Sequence, residues 1–274
     1  MAKILKVGIN GFGRIGRSIF RSNHQSLKFQ VVAINDRNPD TKNIAYQLQY
    51  DTHYGRFPAQ IEVENDSIII DGSSIRIFHK NQIDNVDWAK FGCDVVIDAS
   101  GVGLNVEKSP NVVAKGVKKV VVTHSPDNVD FTLIFGVNED EYDGKIHNII
   151  SSSICDAVAA APLIELIDNS IGINSGFLTT MHPYLNYQNL LDGPSDSWNW
   201  PGDIYHHYAV GRSSVGTLIP KPTSAVEAIS RVLPHAAKNL KCMSYRIPTP
   251  VVGSANLNLQ LAQDSSKKEI HNII

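Results

Sequence analysis

Residues 4–17 read ILKVGINGFGRIGR, and this stretch decides the fold. Residues 4–10 are a short apolar run of strand type. Gly11, Gly13 and Gly16 then spell G-x-G-x-x-G, and a helical pattern follows with Ile15, Ile19 and Phe20 on one face. Strand, glycine turn and helix are the setting in which this fingerprint binds a dinucleotide. Gly11 permits the tight turn, Gly13 lets the backbone approach a pyrophosphate, and Gly16 lets the helix pack close to the strand. The amides that open the helix face the anion. A second strand, residues 30–35 (QVVAIN), ends in Asp36, twenty residues beyond Gly16. That is the spacing of a carboxylate that holds the adenosine ribose. A glycine fingerprint alone is a weak signal; two strands, a helix and the terminal acid make it specific. Arg37 has the chemistry to meet a 2′-phosphate, but Asp36 would repel one, so NAD is favoured over NADP.

Working outward, residues 60–64, 67–70 and 74–78 alternate like antiparallel strands, with Asp71-Gly72 as a hairpin turn. Residues 95–99 (VVIDA) form a buried strand that ends at Ser100-Gly101, and 120–123 and 147–150 read as further strands. Ligands sit at the carboxyl ends of such strands. Residues 150–153 lead to Cys155, and 156–167 read as a helix. A cysteine at a helix N-terminus feels the positive end of the dipole, which favours thiolate. A buried structural thiol is the commoner state of a free cysteine, and Cys93 and Cys242 fit that description better. Residues 177–181 (FLTTM) form a strand ending in His182, which could take the thiol proton or donate one to a hemithioacetal oxygen. There are ten histidines, and spacing alone does not choose among them.

Composition sets the outer limits. The chain has 274 residues, 42% apolar and 19% charged, enough for one large or two smaller globular domains. A net charge of −2 argues against a nucleic-acid partner. There is no apolar run of bilayer length and no leader-type N-terminus, so no membrane association is expected. Three scattered cysteines suit neither a disulfide framework nor a zinc site. No metal is therefore expected, and the cytoplasm is the expected compartment.

Several motifs together resemble the glyceraldehyde-3-phosphate dehydrogenases. They are VGINGFGRIGR at 7–17, Asn35-Asp36, Tyr50-Asp51-Thr52 with Gly55, and Gly136-Val137-Asn138. Further on come Thr179-Thr180-Met181-His182, Asp192-Gly193-Pro194-Ser195 and Arg246-Ile247-Pro248-Thr249. The matches run in order to about residue 262. The resemblance implies an α/β chain: a Rossmann-type NAD-binding domain over 1–153, then an α+β catalytic domain with a mixed sheet over 154–274. It also implies a homotetramer acting on a small aldehyde. Carried over by position, Cys155 matches the nucleophile and His182 the base. Arg14, Ile15 and Asp36 match cofactor contacts, and Ser100, Gly101 and Thr123 lie at cofactor-loop positions. Thr223, Arg246 and Arg212 match substrate or phosphate ligands. In this family a thiolate attacks the aldehyde, hydride passes to NAD, and phosphate releases the acyl group.

Three departures stand out. The family's Ser-Cys-Thr-Thr-Asn is here Ile154-Cys155-Asp156-Ala157-Val158. Leu185 and Tyr187 replace threonines after the histidine. The chain ends at Ile274, ahead of the family's Asn-Glu-x-Gly-Tyr segment. Ile154 donates nothing to phosphate, and Asp156 either repels it or turns away to cap its helix. Weak use of inorganic phosphate is the expectation. Three readings remain open: a phosphorylating dehydrogenase, a family enzyme that oxidises another sugar-phosphate aldehyde with hydrolytic release (the erythrose-4-phosphate dehydrogenase type), and an inactive NAD-binding paralogue. Phosphate dependence separates the first two; rapid alkylation of Cys155 separates both from the third.

Overall fold

The computed structural model describes residues 4–193 and 208–274, so Pro194 and Ser195 of the Asp192–Ser195 motif lie outside the described residues. The chain divides into two compact units. The first comprises Met1–Phe131 and Asp143–Ser152, the second Thr132–Tyr142 and Ser153–Ile274. The expected cut between 153 and 154 is thus preceded by an excursion, because Thr132–Tyr142 packs with the second unit.

The first unit starts with β1 (Lys6–Asn10), α1 (Arg14–Ser26), β2 (Gln30–Asn35), α2 (Thr41–Gln49) and the short pair β3 (Tyr50–Asp51) and β4 (Gly55–Arg56). It continues through β5 (Ile61–Glu64), β6 (Ser67–Ile70), β7 (Ser73–Phe78), β8 (Val95–Asp98), α3 (Gly103–Ala114), β9 (Lys119–Val122), β10 (Phe131–Thr132) and β11 (Ile149–Ser151). The main sheet runs β10-β11-β9-β8-β1-β2-β7-β6-β5. From β11 to β7 the pairings are parallel; β7-β6 and β6-β5 are antiparallel. Parallel order β7-β2-β1-β8-β9-β11 is the doubly wound Rossmann order, with its switch point between β1 and β8. Strands buried on both faces demand apolar runs; Val7, Ile9, Ile34, Val96, Val120 and Val122 are all at most 1% exposed. Asp71 and Gly72 both take positive φ, 47° and 81°, as the tight β6–β7 hairpin requires.

Two sequence expectations are corrected here. Ile15 does not share the buried face of α1; it is 54% exposed, and Gly16 and Phe20 face the core instead. Helices α2 and α3 had not been anticipated. Helix α2 carries a legible signal: Asp40 Oδ1 caps it by accepting from the Lys42 and Asn43 amides, and Ile44, Ala45 and Leu48 form its buried side.

The second unit holds α4 (Cys155–Ser170), β12 (Ile173–Pro183), β13 (Ile219–Lys221), α5 (Ala225–Ser230), α6 (Pro234–Ala237), β14 (Leu240–Ile247), β15 (Ser254–Leu261) and α7 (Lys267–Ile273). Its sheet runs β13-β14-β12-β15 and is mixed: β12-β14 is parallel, while β13-β14 and β12-β15 are antiparallel. Helix α4 buries Ala157, Ala160, Ala161, Ile164 and Ile167, a helical spacing that forms one apolar stripe. Ala157, Ala160, Ala161 and Ile164 pack in one core with Leu178 of β12, Ala225, Ala228 and Ile229 of α5, and Ile134 from the excursion. Fully burying a side chain such as Ile164 contributes about 1.5–3 kcal/mol.

Candidate active site

The glycine loop is shaped for a close neighbour. Gly11 has φ +88°, and a Cβ there would lie 2.7 Å from the Ser100 backbone. A Cβ at Gly16 would run into the Gly11 carbonyl. At Gly13 a Cβ would meet nothing within 4 Å, so the backbone is open where a pyrophosphate would approach. Gly13 is also the N-cap of α1 and supplies no side-chain acceptor, which leaves the first amides of the helix for an anion. Asp36 is tied to the loop: its Oδ2 accepts from the Phe12 amide at 2.7 Å and its Oδ1 from Asn38 at 2.9 Å. Each oxygen keeps a lone pair for a ribose hydroxyl. Ser100 Oγ accepts from Val102 N and Asn105 Nδ2, shaping the loop after β8, where Gly101 takes φ +69°. Thr123 Oγ1 donates to the Asp98 carbonyl. These residues fit a dinucleotide.

Beneath the loop runs a buried polar chain that sequence reading missed. Asn35 Nδ2 donates to Asn10 Oδ1 (2.7 Å), and Asn10 Nδ2 donates to Asp98 Oδ1 (2.8 Å), joining the carboxyl ends of β2, β1 and β8. Burial pushes the Asp98 carboxyl above its ordinary value. Polar residues ending otherwise apolar strands were the available signal.

In the second unit Cys155 is the first residue of α4 and is exposed. It is delivered by Ser153, which holds a left-handed φ of 60°. His182 lies near the end of β12, where register places it opposite Arg246 of β14. Cys155, Asp156 and His182 offer ligand-type atoms that all lie within 4.8 Å of one another. The carboxylate bridges the other two: Cys155 Sγ donates to Asp156 Oδ1 at 3.8 Å, and His182 Nε2 meets Asp156 Oδ2 at 2.9 Å. Asp156 therefore does not cap α4, whose N-cap Ile154 makes no side-chain bond, and it is not the lone anion that the sequence suggested. The bond to Asp156, and next the one to Cys155, raise His182 to about 9 against the desolvation of the ring. His182 is therefore an imidazolium at neutral pH, a proton donor more than a base.

The candidate anion ligands make different contacts. Arg246 lines a cavity of about 240 Å³ with Leu185, Tyr187, Gln188, Lys221 and Pro222. Arg212 instead pairs with Asp192 at 3.3 Å, both well exposed. Thr223 Oγ1 accepts from Ala225 N at the start of α5. Lys221 had not been singled out, since one lysine beside a proline forms no pattern. Cys93 is buried and its thiol is pushed up to about 12, as suits a structural cysteine.

A doubly wound sheet with an open glycine loop is the architecture of an NAD-dependent oxidoreductase, and the second unit presents an exposed thiol beside an imidazolium. The family model "Glyceraldehyde 3-phosphate dehydrogenase, NAD binding domain" matches residues 5–106, and "Glyceraldehyde 3-phosphate dehydrogenase, C-terminal domain" matches 154–274. The glyceraldehyde-3-phosphate dehydrogenase of Wickerhamomyces ciferrii is 37% identical over 266 residues, spanning 97% of this chain and 76% of that protein. The proteins of that name from Geobacillus stearothermophilus and Salmonella typhimurium are 33% and 37% identical over 267 residues. Those alignments cover 97% of this chain and 76% and 77% of the relatives. The chain belongs to the glyceraldehyde-3-phosphate dehydrogenase family and is an NAD-dependent oxidoreductase of that type. No helix among the described residues is long and apolar enough to cross a membrane.

Proposed function

We propose that the protein oxidises a phosphorylated aldehyde of the glyceraldehyde 3-phosphate kind through a thioester on Cys155. The first 153 residues bind the cofactor and the residues from 154 perform the chemistry. The observation that carries this reading is the exposed Cys155 at the start of α4, with Asp156 and His182 within 4.8 Å. Cys155 Sγ, at the first position of α4, adds to the aldehyde carbon. His182, held by Asp156, donates to the developing oxyanion of the hemithioacetal. NAD, when bound, supplies the hydride acceptor. Gly11, Gly13, Arg14, Ile15, Gly16, Asp36 and Arg37, with Ser100, Gly101 and Thr123, are the residues proposed to hold it. Ile154 offers no donor to a second anion, so water takes the acyl group from the Cys155 thioester, the thiol is regenerated, and the rate rises only weakly with inorganic phosphate.

The relatives' names support a place in sugar-phosphate oxidation such as glycolysis; the cytoplasm and a homotetramer are what the family resemblance implies. Exposed Leu190, Leu191, Val215, Leu218 and Val252 of the second unit are surface that a subunit contact would cover. NADH formation from glyceraldehyde 3-phosphate and NAD, across a phosphate series, tests the activity. Turnover that Cys155→Ser abolishes is expected; turnover that survives Cys155→Ser rules the mechanism out. A mass in solution of about four chains of 30.1 kDa checks the assembly.

A further inference from the structure

We propose that Asp156 is the base that activates water to hydrolyse the Cys155 thioester, so that the acyl group leaves as a free acid without a phosphate acceptor. This deepens the function proposed above and rests on it. Asp156 is the second residue of α4 and is buried, its side chain 11% exposed. Its two oxygens have separate partners: Oδ1 accepts from Cys155 Sγ at 3.8 Å, and Oδ2 meets His182 Nε2 at 2.9 Å. Only the second of these bonds survives acylation. A thioester sulfur carries no proton, so once the acyl group is on Sγ, Oδ1 has lost its donor. A buried carboxylate oxygen without a donor is costly, and a water molecule that donates to it removes the cost. That water comes within reach of the carbonyl carbon, which is one bond from Sγ, and its proton lies within the hydrogen-bond reach a general base needs. His182 cannot take the role, because its charged ring has no lone pair left to accept a proton. Ile154, packed against the core under α4, offers nothing that would seat a phosphate in place of the water.

The step balances without a further reactant. The water oxygen bonds to the carbonyl carbon while one water proton passes to Asp156 Oδ1. The charge that gathers on the carbonyl oxygen is met by the His182 imidazolium. The intermediate then collapses: the carbon–sulfur bond breaks and its electron pair goes to Sγ. The proton on Oδ1 returns to Sγ, which restores the Sγ–Oδ1 hydrogen bond of the free site. The other water proton stays with the acid and is lost to solvent. Nothing is oxidised or reduced, since NAD has already taken the hydride. The family motif has a threonine where this chain has Asp156. A hydroxyl is a poor base near neutral pH and a carboxylate a serviceable one, so the substitution diverts the thioester to water.

The test compares the wild type with Asp156→Asn at about pH 6, where His182 keeps most of its charge even with its pKa back at 6.5. Mixed rapidly with NAD and glyceraldehyde 3-phosphate in phosphate-free buffer, the variant should release about one NADH per site and then stall. Its steady rate should fall about 100- to 10,000-fold, the usual worth of a general base. Intact mass should show an acyl group on the stalled protein, and peptide mapping should place it on Cys155. Hydroxylamine, a nucleophile that needs no base, should restore turnover, and Asp156→Glu should keep part of it. The proposal is overturned if the burst and the steady rate fall together and no acyl group accumulates, since Asp156 would then only position His182. It is equally overturned if Asp156→Asn turns over at the wild-type rate. Acylation by p-nitrophenyl acetate separates this proposal from the one it rests on, because it loads Cys155 without an oxidation. Acetyl-enzyme that decays slowly in Asp156→Asn, in a protein that oxidises no aldehyde, would sink the proposed activity and leave the base standing. Aldehyde oxidation with acetyl-enzyme decay indifferent to Asp156 would do the reverse.

Discussion

Asp156 serves two neighbours with two oxygens, and that decides how His182 behaves. A rise from 6.5 to about 9 corresponds to about 3 kcal/mol of preference for the charged ring in the folded site. The folded value is the higher one, so this stabilisation is fully present below 6.5 and fades as pH rises through about 9. Asp156→Asn should return His182 towards 6.5. If His182 is the proton donor, the alkaline limb of kcat/KM then moves down by about two pH units. A profile measured from pH 5.5 to 10 that is unmoved by the substitution would show that Asp156 does not govern the ring. Cys155 could be singled out from its place at a helix N-terminus, whereas His182 stood out from the ten histidines only through the family resemblance. The Asp156–His182 contact was not legible, since it joins residues 26 apart that only the second sheet brings together. Read along the chain, Asp156 resembled a helix cap.

Among the elements, the strand ends beneath the glycine loop carry the most consequence. Asn35, Asn10 and Asp98 form one hydrogen-bonded row, and Asp98 Oδ2 at its end has no partner. Burial raises the Asp98 pKa in the folded state, so the native protein binds the proton more tightly than the unfolded chain and stability drains away as pH rises. Asp98→Asn keeps the acceptor towards Asn10 and removes the buried charge. It should raise the melting temperature at pH 8 by a few degrees, roughly the effect of 1 kcal/mol in a domain of this size, and by less at pH 5. An equal gain at both values would mean that the carboxyl is not charged there. The strands themselves were readable, because parallel buried strands are unbroken apolar runs between turn residues. Helix α3 was not: it opens on Gly103, contains Pro110, and has no side-chain cap, so its pattern argues against the helix that packing enforces.

At the scale of the whole molecule, the chain enters the second unit twice. Ile134 lies in the excursion, is 1% exposed, and belongs to the core under α4, twenty-one residues before Cys155. Ile134→Ala should cost about 2–5 kcal/mol in urea unfolding. Its neighbour Phe135, 76% exposed, should tolerate alanine with a change within about 0.5 kcal/mol. Equal small effects would show that the excursion is not part of that core. The sequence made a single boundary look sufficient, because nothing local marks 132–142 as belonging with residues twenty positions further on. The two units are therefore interleaved along the gene. Recombination that exchanged the cofactor half with a relative at one crossover point would leave Ile134 matched to a foreign core. A viable chimera needs three junctions, near 131, 142 and 152, so the two halves are inherited more readily as a set than as exchangeable modules.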